Sequence, residues 1–128
     1  MRVLLDTNAF LWWVTDDEKL SATARSIIKN RENEIFFSIA SAWEIVIKYQ
    51  LGKLPLPEQP KIYIPNRVEH YGFVSLTIGM KDVLEISSLD NHHKDPFDRL
   101  IIAQGRTNNL PILTADRVFN LYFVEVIW

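Results

Sequence analysis

The segment RVLLDTNAFLWWV, residues 2–14, is the strongest indication of the fold class of this chain. Its first part, Arg2–Leu5, contains the continuous apolar run Val3–Leu5 before Asp6, and such a run is typical of a strand buried on both faces of a sheet. Residues 9–14 are also apolar and favour a short helix soon after the strand. A buried strand followed closely by a helix indicates an α/β protein.

The same alternation of strand and helix continues along the rest of the chain. Apolar spacing and capping residues predict further strands at 34–38, 73–78, 111–114 and 123–127, and helices at 21–29, 39–51, 63–71, 81–87 and 95–107. Ser21 is a predicted helix N-cap and Gly52 a predicted helix stop. The stretch LPLPEQP, residues 54–60, carries three prolines and is predicted to be a loop. We therefore expect a single domain, residues 1–128, around a mostly parallel sheet.

The composition excludes several classes of protein. Hydrophobic residues make up 48% of the 128 residues, which is enough for one packed core and excludes disorder for most of the length. Lys and Arg number 14 against 16 Asp and Glu, which excludes a protein that holds nucleic acid by bulk positive charge. Because cysteine is absent, disulfides, a thiolate zinc site and a thiol nucleophile are excluded, and any metal must be held by oxygen or imidazole.

The sequence contains no targeting or membrane-spanning signal. The first apolar run is broken by Asp6, and the next, residues 9–14, is only six residues long. A secretory signal needs about 7–15 apolar residues and a membrane helix about 20. We expect a soluble cytoplasmic protein that makes no membrane contact.

Two acidic residues are predicted to follow strands of the sheet. Asp6 ends the first strand, and Asp116 lies just past the strand at 111–114. Because ligands of an open parallel sheet bind beyond the carboxyl ends of its strands, both carboxylates are expected at the binding edge. The alternative for each is an ordinary turn residue or helix N-cap.

Asp98 lies at the start of the strongest predicted helix. Asp95 is the expected N-cap and Pro96 the first helical residue, which puts Asp98 third in the first turn. An acid at that position also completes a capping box and suits the helix dipole. Since one acid is enough to cap the helix, the second carboxylate invites a functional explanation.

Glu44 lies in SIASAWEIVIKYQ, residues 38–50, among mostly apolar neighbours. It stands three residues after Ser41, which is the spacing of a capping box. If Ser38 is the N-cap instead, Glu44 lies two turns inside the helix and is not needed for capping. A carboxylate buried there requires a cation or a hydrogen-bond donor, and Lys48, four residues later, is one candidate.

The four acids together suggest one site, formed by Asp6, Glu44, Asp98 and Asp116. Hard divalent cations such as Mg²⁺ bind carboxylate oxygens and share their ligands with substrate phosphates. Such a cluster suits phosphodiester hydrolysis, in which the metal activates water and screens the charge that gathers on the phosphate. Four polar residues beside the acids are candidates for orienting them or binding phosphate: Thr7, Asn8, Ser38 and Thr114.

Four segments of the chain resemble, in the same order, the PIN-domain ribonucleases, and specifically the VapC-type toxins of toxin–antitoxin pairs. They are LLDTNAFLWW, SIASAWEIVIKYQLGKL, HHKDPFDRLIIAQ and PILTADRVF, followed by a terminal strand. Together they span nearly the whole chain and are specific, whereas LDTN alone is weak. One departure is Gly105, where the family usually has Ala, and a glycine inside a helix costs about 1 kcal/mol.

The resemblance implies a fold, a site and partners. The fold is a three-layer α/β/α domain with a central, mostly parallel sheet of four or five strands. The site is an acidic cluster that binds Mg²⁺ or Mn²⁺ and cleaves RNA, formed here by Asp6, Glu44, Asp98 and Asp116. The partners are an RNA substrate, a cognate antitoxin that covers the active site, and a second copy of the chain in a homodimer.

Two further groups of residues are candidates for contacts with these partners. If metal neutralises the four acids, 14 basic residues face 12 acidic ones, so the net charge is only +2 and contacts with RNA must be local. The candidate cations for these contacts are Arg99, Arg106, Arg117, His92 and His93. The alternative for each of them is that it is a solvated surface residue.

The adjacent Trp12 and Trp13 cannot both be buried by one helix. They are either core and rim residues or part of an apolar groove for the antitoxin.

Three other functions compete with the nuclease. A haloacid-dehalogenase-type phosphatase needs a second Asp two residues after the first, where this chain has Asn8. A phospho-acceptor signalling domain needs its acceptor Asp on a mid-chain strand, and residues 34–40 contain none. A catalytically inactive binding module is separated from a nuclease only by an activity assay with and without EDTA.

Overall fold

The computed structural model describes all 128 residues. Its five strands are β1 Arg2–Leu5, β2 Glu34–Ser38, β3 Val74–Leu76, β4 Ile112–Leu113 and β5 Val126–Ile127. Its six α-helices are α1 Thr7–Val14, α2 Ala22–Lys29, α3 Ile39–Gln50, α4 Pro60–His70, α5 Met80–Glu85 and α6 Pro96–Thr107. Short 3₁₀ helices follow α5 and β4, at Ile86–Ser88 and Arg117–Leu121. No helix has the length and apolar character needed to cross a membrane.

The five strands form one sheet in the order β3-β2-β1-β4-β5, and every neighbouring pair is parallel. The central strand is β1, in which Leu4 lies opposite Phe36 of β2 and opposite Ile112 of β4. Because all strands run in the same direction, their carboxyl ends share one edge of the sheet. The predicted parallel sheet is confirmed, with five strands.

Helices cover both faces of the sheet and produce three layers. Val3 and Leu5 face one core, which α1 to α4 cover. Leu4 faces a second core, which α6 and the 3₁₀ helix after β4 cover. Because β1 is buried on both faces, it is apolar at consecutive positions rather than at every second one. The expected α/β/α architecture is confirmed.

Local capping chemistry starts and stops helices where the sequence predicts it. The Ser21 hydroxyl accepts a hydrogen bond from the Ala24 N–H at 3.0 Å, and the Asp95 carboxylate accepts one from the Phe97 N–H at 2.8 Å. Helix α3 stops just before Gly52, whose φ of 71° lies in the left-handed region that a glycine adopts without strain.

Helix α4 starts earlier than predicted, at Pro60 rather than at Tyr63. Pro60 occupies the first helical position, where no backbone N–H is needed, so the proline-rich segment 54–60 leads into the helix instead of separating two elements. Pro65 lies inside the helix, although it cannot donate the hydrogen bond of that position. The neighbouring Ile64 is buried in the core, and this packing favours a helix that continues across the proline.

Three strands are shorter than predicted, since β3, β4 and β5 have three, two and two residues. Phe73, directly before β3, is buried in the core without pairing in the sheet. The apolar pattern therefore marks burial, which extends further than the hydrogen-bonded ladder. The remaining differences are small: α1 begins at Thr7 rather than at residue 9, and the end of the predicted helix 81–87 is a 3₁₀ turn.

Gly105 permits a close approach of α6 to the sheet. A Cβ atom at this position would lie 2.8 Å from Cδ1 of Ile112 in β4 and 3.0 Å from Cγ2 of Val124. Real Cβ atoms essentially never show the first distance, and the second is tighter than most, so an alanine here would require the side chains of Ile112 and Val124 to shift. The close packing of α6 on the sheet thus accompanies the helix-propensity cost of this glycine.

Candidate active site

Four carboxylates come together at the carboxyl edge of the sheet. Asp6 directly follows β1, and Asp116 lies shortly after the neighbouring strand β4. Glu44 reaches this edge from α3, and Asp98 reaches it from the first turn of α6. The charges of Glu44 and Asp116 act on Asp6, and those of Glu44 and Asp6 act on Asp98. The structure thus brings all four acids of the expected cluster together.

Asp6 is fixed by two hydrogen bonds and almost fully buried. Its Oδ1 accepts from the Ala9 N–H at 2.7 Å and so caps α1, while its Oδ2 accepts from the Thr114 hydroxyl at 2.6 Å. Burial, together with the charges of Glu44 and Asp116, raises the pKa of Asp6 to about 6, although both hydrogen bonds lower it. Asp6 is therefore a helix cap and a member of the cluster at the same time.

Glu44 is a buried acid inside α3 and does not cap the helix. The N-cap is Ser38, so the capping-box interpretation with Ser41 is wrong. Oε1 of Glu44 accepts from the Thr7 hydroxyl at 2.6 Å, and Oε2 lies 2.6 Å from Nζ of Lys48. The ion pair with Lys48, which the helical spacing suggests, is therefore present, and this hydrogen bond raises the pKa of Lys48.

Asp98 has the fewest compensating contacts of the four acids. Asp95 caps α6 by accepting from the N–H groups of Phe97 and Asp98, and no group donates a hydrogen bond to the Asp98 carboxylate. Burial, followed by the charges of Asp95 and Glu44, raises the pKa of Asp98 to about 7, against a smaller lowering by His93. The Asp98 carboxylate therefore lies near other negative charges and does not cap α6.

His93 lies in the same cluster, in a role that the sequence leaves open. Its Nε2 is 2.9 Å from Oδ2 of Asp116 and 3.9 Å from Oδ2 of Asp98. One ligand atom from each of these three residues lies within 4.8 Å of the others. In the sequence, this histidine is indicated only by the pair His92–His93 shortly before α6. Spacing alone does not distinguish His93 from His92, which is exposed and lies 4.0 Å from Asp90.

The cluster carries more negative charge than the surrounding protein neutralises. Lys48 pairs with Glu44, whereas no Lys or Arg forms an ion pair with Asp6, Asp98 or Asp116. Oxygen donors at such density fit a hard divalent cation, which supplies the missing positive charge. The donor set therefore fits Mg²⁺ or Mn²⁺.

Two of the residues predicted to support the acids contact them. Thr7 donates to the acid on α3, as described above. The Thr114 hydroxyl donates to Asp6 and accepts from the backbone N–H of Asp116 at 3.0 Å, so it links acids from two neighbouring strands. Asn8 is exposed in the first turn of α1 and makes no hydrogen bond to an acid.

Two further candidates for contact with a phosphate, Ser38 and Arg99, have structural roles instead. Ser38 is fully buried, and its hydroxyl caps α3 and donates to Gln104 of α6, so it is not accessible to a phosphate. Arg99 donates to four backbone carbonyls of the segment 86–93 and fastens this segment to α6. Its guanidinium group is therefore committed within the protein rather than available for a phosphate.

The remaining candidate cations differ in their availability. Arg106 pairs with Glu85 at 2.9 Å, and both side chains are mostly buried. Arg117 follows Asp116 directly, is exposed and forms no ion pair. Of these two arginines, Arg117 is the one available to an anionic ligand near the cluster.

Trp12 and Trp13 are both half-buried. Trp12 packs edge-on against Trp128, with ring centroids 5.8 Å apart, and Trp13 packs edge-on against Tyr71 at 5.4 Å. Both indoles therefore already contact distant parts of the chain. Of the two descriptions the sequence allows, a core-and-rim position fits both residues better than an open groove.

A more exposed tryptophan, for which the sequence predicts no role, lies beside two of the acids in the chain. Trp43 directly precedes Glu44 and is 53% exposed. It packs edge-on against Phe97, which directly precedes Asp98, with ring centroids 5.0 Å apart. An aromatic pair thus adjoins two of the four acids.

Comparison with known proteins gives a family and several relatives. Residues 3–122 match the family model for the PIN domain. Ribonuclease VapC16 of Mycobacterium tuberculosis (strain ATCC 25618 / H37Rv) is 46% identical to this chain over 54 residues. That match covers 42% of this chain and 38% of VapC16, so it spans less than half of either protein.

Solved structures share the fold over nearly the whole chain. A chain in the crystal structure of VapBC2 from Rickettsia felis bound to a DNA fragment from their promoter has a TM-score of 0.71 and 17% identity, covering 99% of this chain and 98% of that chain. A chain in a toxin–antitoxin complex from Klebsiella pneumoniae has a TM-score of 0.58 and 14% identity, covering 98% and 96%. At these identities the likeness shows the fold alone.

Proposed function

This chain belongs to the PIN domain family, and on that premise we propose that it is a metal-dependent endoribonuclease that acts as the toxin of a toxin–antitoxin pair. The reaction is hydrolysis of RNA phosphodiester bonds. The observation that carries the proposal is the cluster of four acids at one edge of the sheet, whose negative charge Lys48 neutralises only in part. The partial similarity to VapC16, which is named a ribonuclease, supports RNA as the substrate.

The four acids hold the ion and form the catalytic centre. Asp6, Glu44, Asp98 and Asp116 offer the oxygen atoms that Mg²⁺ or Mn²⁺ prefers. When bound, the ion supplies an activated water and stabilises the charge that develops on the phosphate. The raised pKa values of Asp6 and Asp98 support this assignment, because a cation beside these carboxylates offsets the repulsion that helps to raise them.

The surroundings of the acids support a single-stranded substrate. Unpaired bases stack on exposed aromatic side chains, and Trp43 with Phe97 offers such a surface next to Glu44 and Asp98 in the chain. The exposed Arg117 offers a local positive charge for the backbone of the RNA. Local contacts of this kind suit a chain whose net charge is −2.

A toxin of this type requires a protein inhibitor, and we include a cognate antitoxin, a homodimer and a cytoplasmic location in the proposal. The likeness of the fold to a chain in a toxin–antitoxin complex agrees with such a partner. The proposed apolar contact of the antitoxin is the part of the half-buried Trp12 and Trp13 side chains that Trp128 and Tyr71 leave uncovered. A basic side chain of the antitoxin, above all Arg, would then pair with the carboxylates.

The alternatives have less support. A haloacid-dehalogenase-type phosphatase requires an acid two residues after Asp6, and Asn8 at that position is an exposed amide. A catalytically inactive binding module gives no reason to keep mutually repelling acids at one edge, since their repulsion opposes folding.

Cleavage of single-stranded RNA by the purified chain, with Mg²⁺ and with EDTA, tests the proposal. Asp6→Asn and Glu44→Gln remove a charge with little change of shape, and both are expected to lose most of the activity. Glu34→Gln is the matched control, because Glu34 is an exposed acid at the start of β2 that pairs only with Arg2 at 3.5 Å. Full cleavage in EDTA, or full activity of Asp6→Asn, would show that the proposed site is wrong. Hydrolysis of a phosphomonoester without RNA cleavage would favour the phosphatase.

A further inference from the structure

Both ring nitrogens of His93 are engaged within the protein. Nδ1 lies 3.2 Å from the Tyr122 hydroxyl oxygen, and Nε2 lies 2.9 Å from Oδ2 of Asp116. The ring stacks on Tyr122, with centroids 5.6 Å apart and planes at 18°, and meets Phe119 edge-on at 5.1 Å. The side chain is only 10% exposed. These contacts hold the imidazole in one orientation.

Tyr122 determines the direction of the hydrogen bond to Nδ1. Its hydroxyl oxygen accepts the backbone N–H groups of His92 at 3.2 Å and His93 at 2.9 Å, and an N–H group can only donate. These two bonds occupy the two lone pairs of the oxygen, so the hydroxyl proton is left to donate to Nδ1. Nδ1 of the neutral ring is then an acceptor, and the proton of the ring lies on Nε2.

With its proton on Nε2, His93 is a donor toward Asp116. Nε2–H donates to Oδ2 of Asp116, while the Val118 N–H donates to Oδ1 at 2.9 Å. Each oxygen of this carboxylate is thus fixed by one donor. A ring nitrogen that carries its proton has no lone pair for a metal, so Nε2 cannot be a ligand while this hydrogen bond persists.

We propose that His93 is a positioning residue that holds Asp116 from outside the coordination shell of the divalent ion, and that Tyr122 keeps His93 in the tautomer required for this role. The inference rests on the metal site of the proposed function. A direct-ligand role would require His93 to release Asp116 and move its proton to the nitrogen that faces the Tyr122 hydroxyl. The existing contacts favour the positioning role over that rearrangement.

Binding of Mn²⁺ to the full chain, measured by calorimetry, tests the inference without reference to activity. His93→Ala is expected to weaken binding about 10–100-fold, as loss of an outer partner of a ligand does. His93→Gln is expected to recover most of the affinity, because its amide N–H can donate to Asp116 in place of Nε2–H. Tyr122→Phe keeps the aromatic ring but removes the donor to Nδ1, and it is expected to weaken binding by a smaller factor, about threefold to tenfold.

Electron spin-echo measurements on the bound Mn²⁺ separate the two roles of His93. The positioning role predicts no directly coordinated nitrogen in the wild-type protein. A coordinated nitrogen that disappears in His93→Gln would overturn the inference, and so would unchanged Mn²⁺ affinity in His93→Ala. His70→Ala is the matched control, because His70 is an exposed histidine at the end of α4 that contacts no acid of the cluster, and it is expected to bind Mn²⁺ like the wild type.

Asp98→Asn distinguishes failure of this inference from failure of the proposed function. If Asp98→Asn binds Mn²⁺ as tightly as the wild type, the metal site itself is misplaced and both proposals are wrong. If Asp98→Asn loses binding while His93→Ala retains it, only the role of His93 is wrong. Far-UV circular dichroism of each variant checks the fold, and His93→Gln carries the test if His93→Ala does not fold.

Discussion

Asp82 and Asp98 occupy the same position in two helices, the third residue of α5 and of α6, yet their carboxylates have different surroundings. Asp82 is 1% exposed, and both of its oxygens are satisfied. Oδ2 accepts from the Gly79 N–H at 2.8 Å and so closes the start of α5, while Oδ1 accepts from the Thr107 hydroxyl. Asp82 therefore stabilises the contact between α5 and α6.

Asp98 makes neither kind of contact. Capping of α6 is carried out by Asp95, and the carboxylate of Asp98 faces the charges of Glu44 and Asp6 instead of a donor. A buried acid that finds its donors within the fold stabilises it, whereas buried acids that face one another need a cation from outside. The same helical position is thus structural in α5 and functional in α6.

Removing the charge at each position should separate these two roles, and this is the largest effect we expect. Asp98→Asn is expected to lower RNA cleavage about 100-fold or more, because it removes an ion ligand and its charge from the reacting centre. Asp82→Asn is expected to stay within about twofold of the wild type, since Asp82 lies outside the cluster. Initial rates of cleavage at saturating Mg²⁺ measure both.

Thermal stability should show the opposite order. Asp82→Ala leaves the Gly79 N–H and the Thr107 hydroxyl without their acceptor, and we expect a loss of about 2 kcal/mol. Asp98→Asn relieves repulsion and should keep or raise the melting temperature of the metal-free protein. Equal loss of activity in Asp82→Asn and Asp98→Asn would remove the distinction between the two helices.

Binding of Mg²⁺ or Mn²⁺ should stabilise the wild-type protein, and this stabilisation should depend on Asp98 but not on Asp82. A ligand that binds only the folded state at 100 times its Kd stabilises it by about 2.7 kcal/mol, so the melting temperature should rise when the ion is added. Asp82→Asn should retain this rise and Asp98→Asn should lose most of it. A rise of equal size in both variants would indicate that the ion binds elsewhere.

The elements that local chemistry determines could be predicted from the sequence. The buried strand β1, the N-caps Ser21 and Asp95 and the stop at Gly52 all follow from residue type and spacing within a few positions. Helical position alone does not separate Asp82 from Asp98, because both are acids in a first turn and the difference lies in the donors that tertiary packing supplies. The resemblance carried by the segment HHKDPFDRLIIAQ singles out Asp98 in the sequence.

Some side chains have roles that the sequence does not predict, because their partners are distant in the chain. Ser38 has the hydroxyl expected of a phosphate contact, but Gln104, 66 residues away, engages it inside the core. His93 and His92 are equivalent in the sequence, and only the approach of Tyr122, 29 residues from His93, distinguishes them. Such contacts depend on how α6 and the 3₁₀ helix after β4 pack against the rest of the chain, which local patterns do not encode.

The pH dependence of stability gives a smaller and more specific effect. Both Asp6, with a pKa of about 6, and Asp98, with a pKa of about 7, are raised above the ordinary value of 3.8. Between about pH 4 and pH 7 the folded state binds more protons than the unfolded state. The contribution of these two groups to stability is therefore complete below about pH 4 and is lost as the pH rises toward 7. For the metal-free protein, thermal melts in EDTA should therefore give a higher melting temperature at about pH 5.5 than at about pH 8.

Comparison of variants isolates that contribution from the other titrating groups. Asp98→Asn should reduce the difference between the two pH values, because it removes one of the two raised groups. Asp82→Asn should leave the difference as it is in the wild type. If Asp98→Asn keeps the full difference in melting temperature, protonation of Asp98 does not contribute to the pH dependence of stability.

The smallest effect we expect concerns the surface next to each aspartate. Trp43 and Phe97 adjoin the start of α6, whereas α5 begins with Met80, which is 74% exposed. Because stacking of one base contributes about 1–3 kcal/mol, Trp43→Ala should raise KM for single-stranded RNA at least about fivefold while kcat changes little. Met80→Ala is the matched removal of an exposed apolar side chain at the other helix and should leave KM unchanged. The measurement is steady-state kinetics on a short single-stranded substrate and on versions of it that each lack one base. If Trp43 stacks on a base, removing that base should abolish the difference in KM between Trp43→Ala and the wild type. A difference that persists for every abasic substrate would mean that Trp43 does not stack on a base.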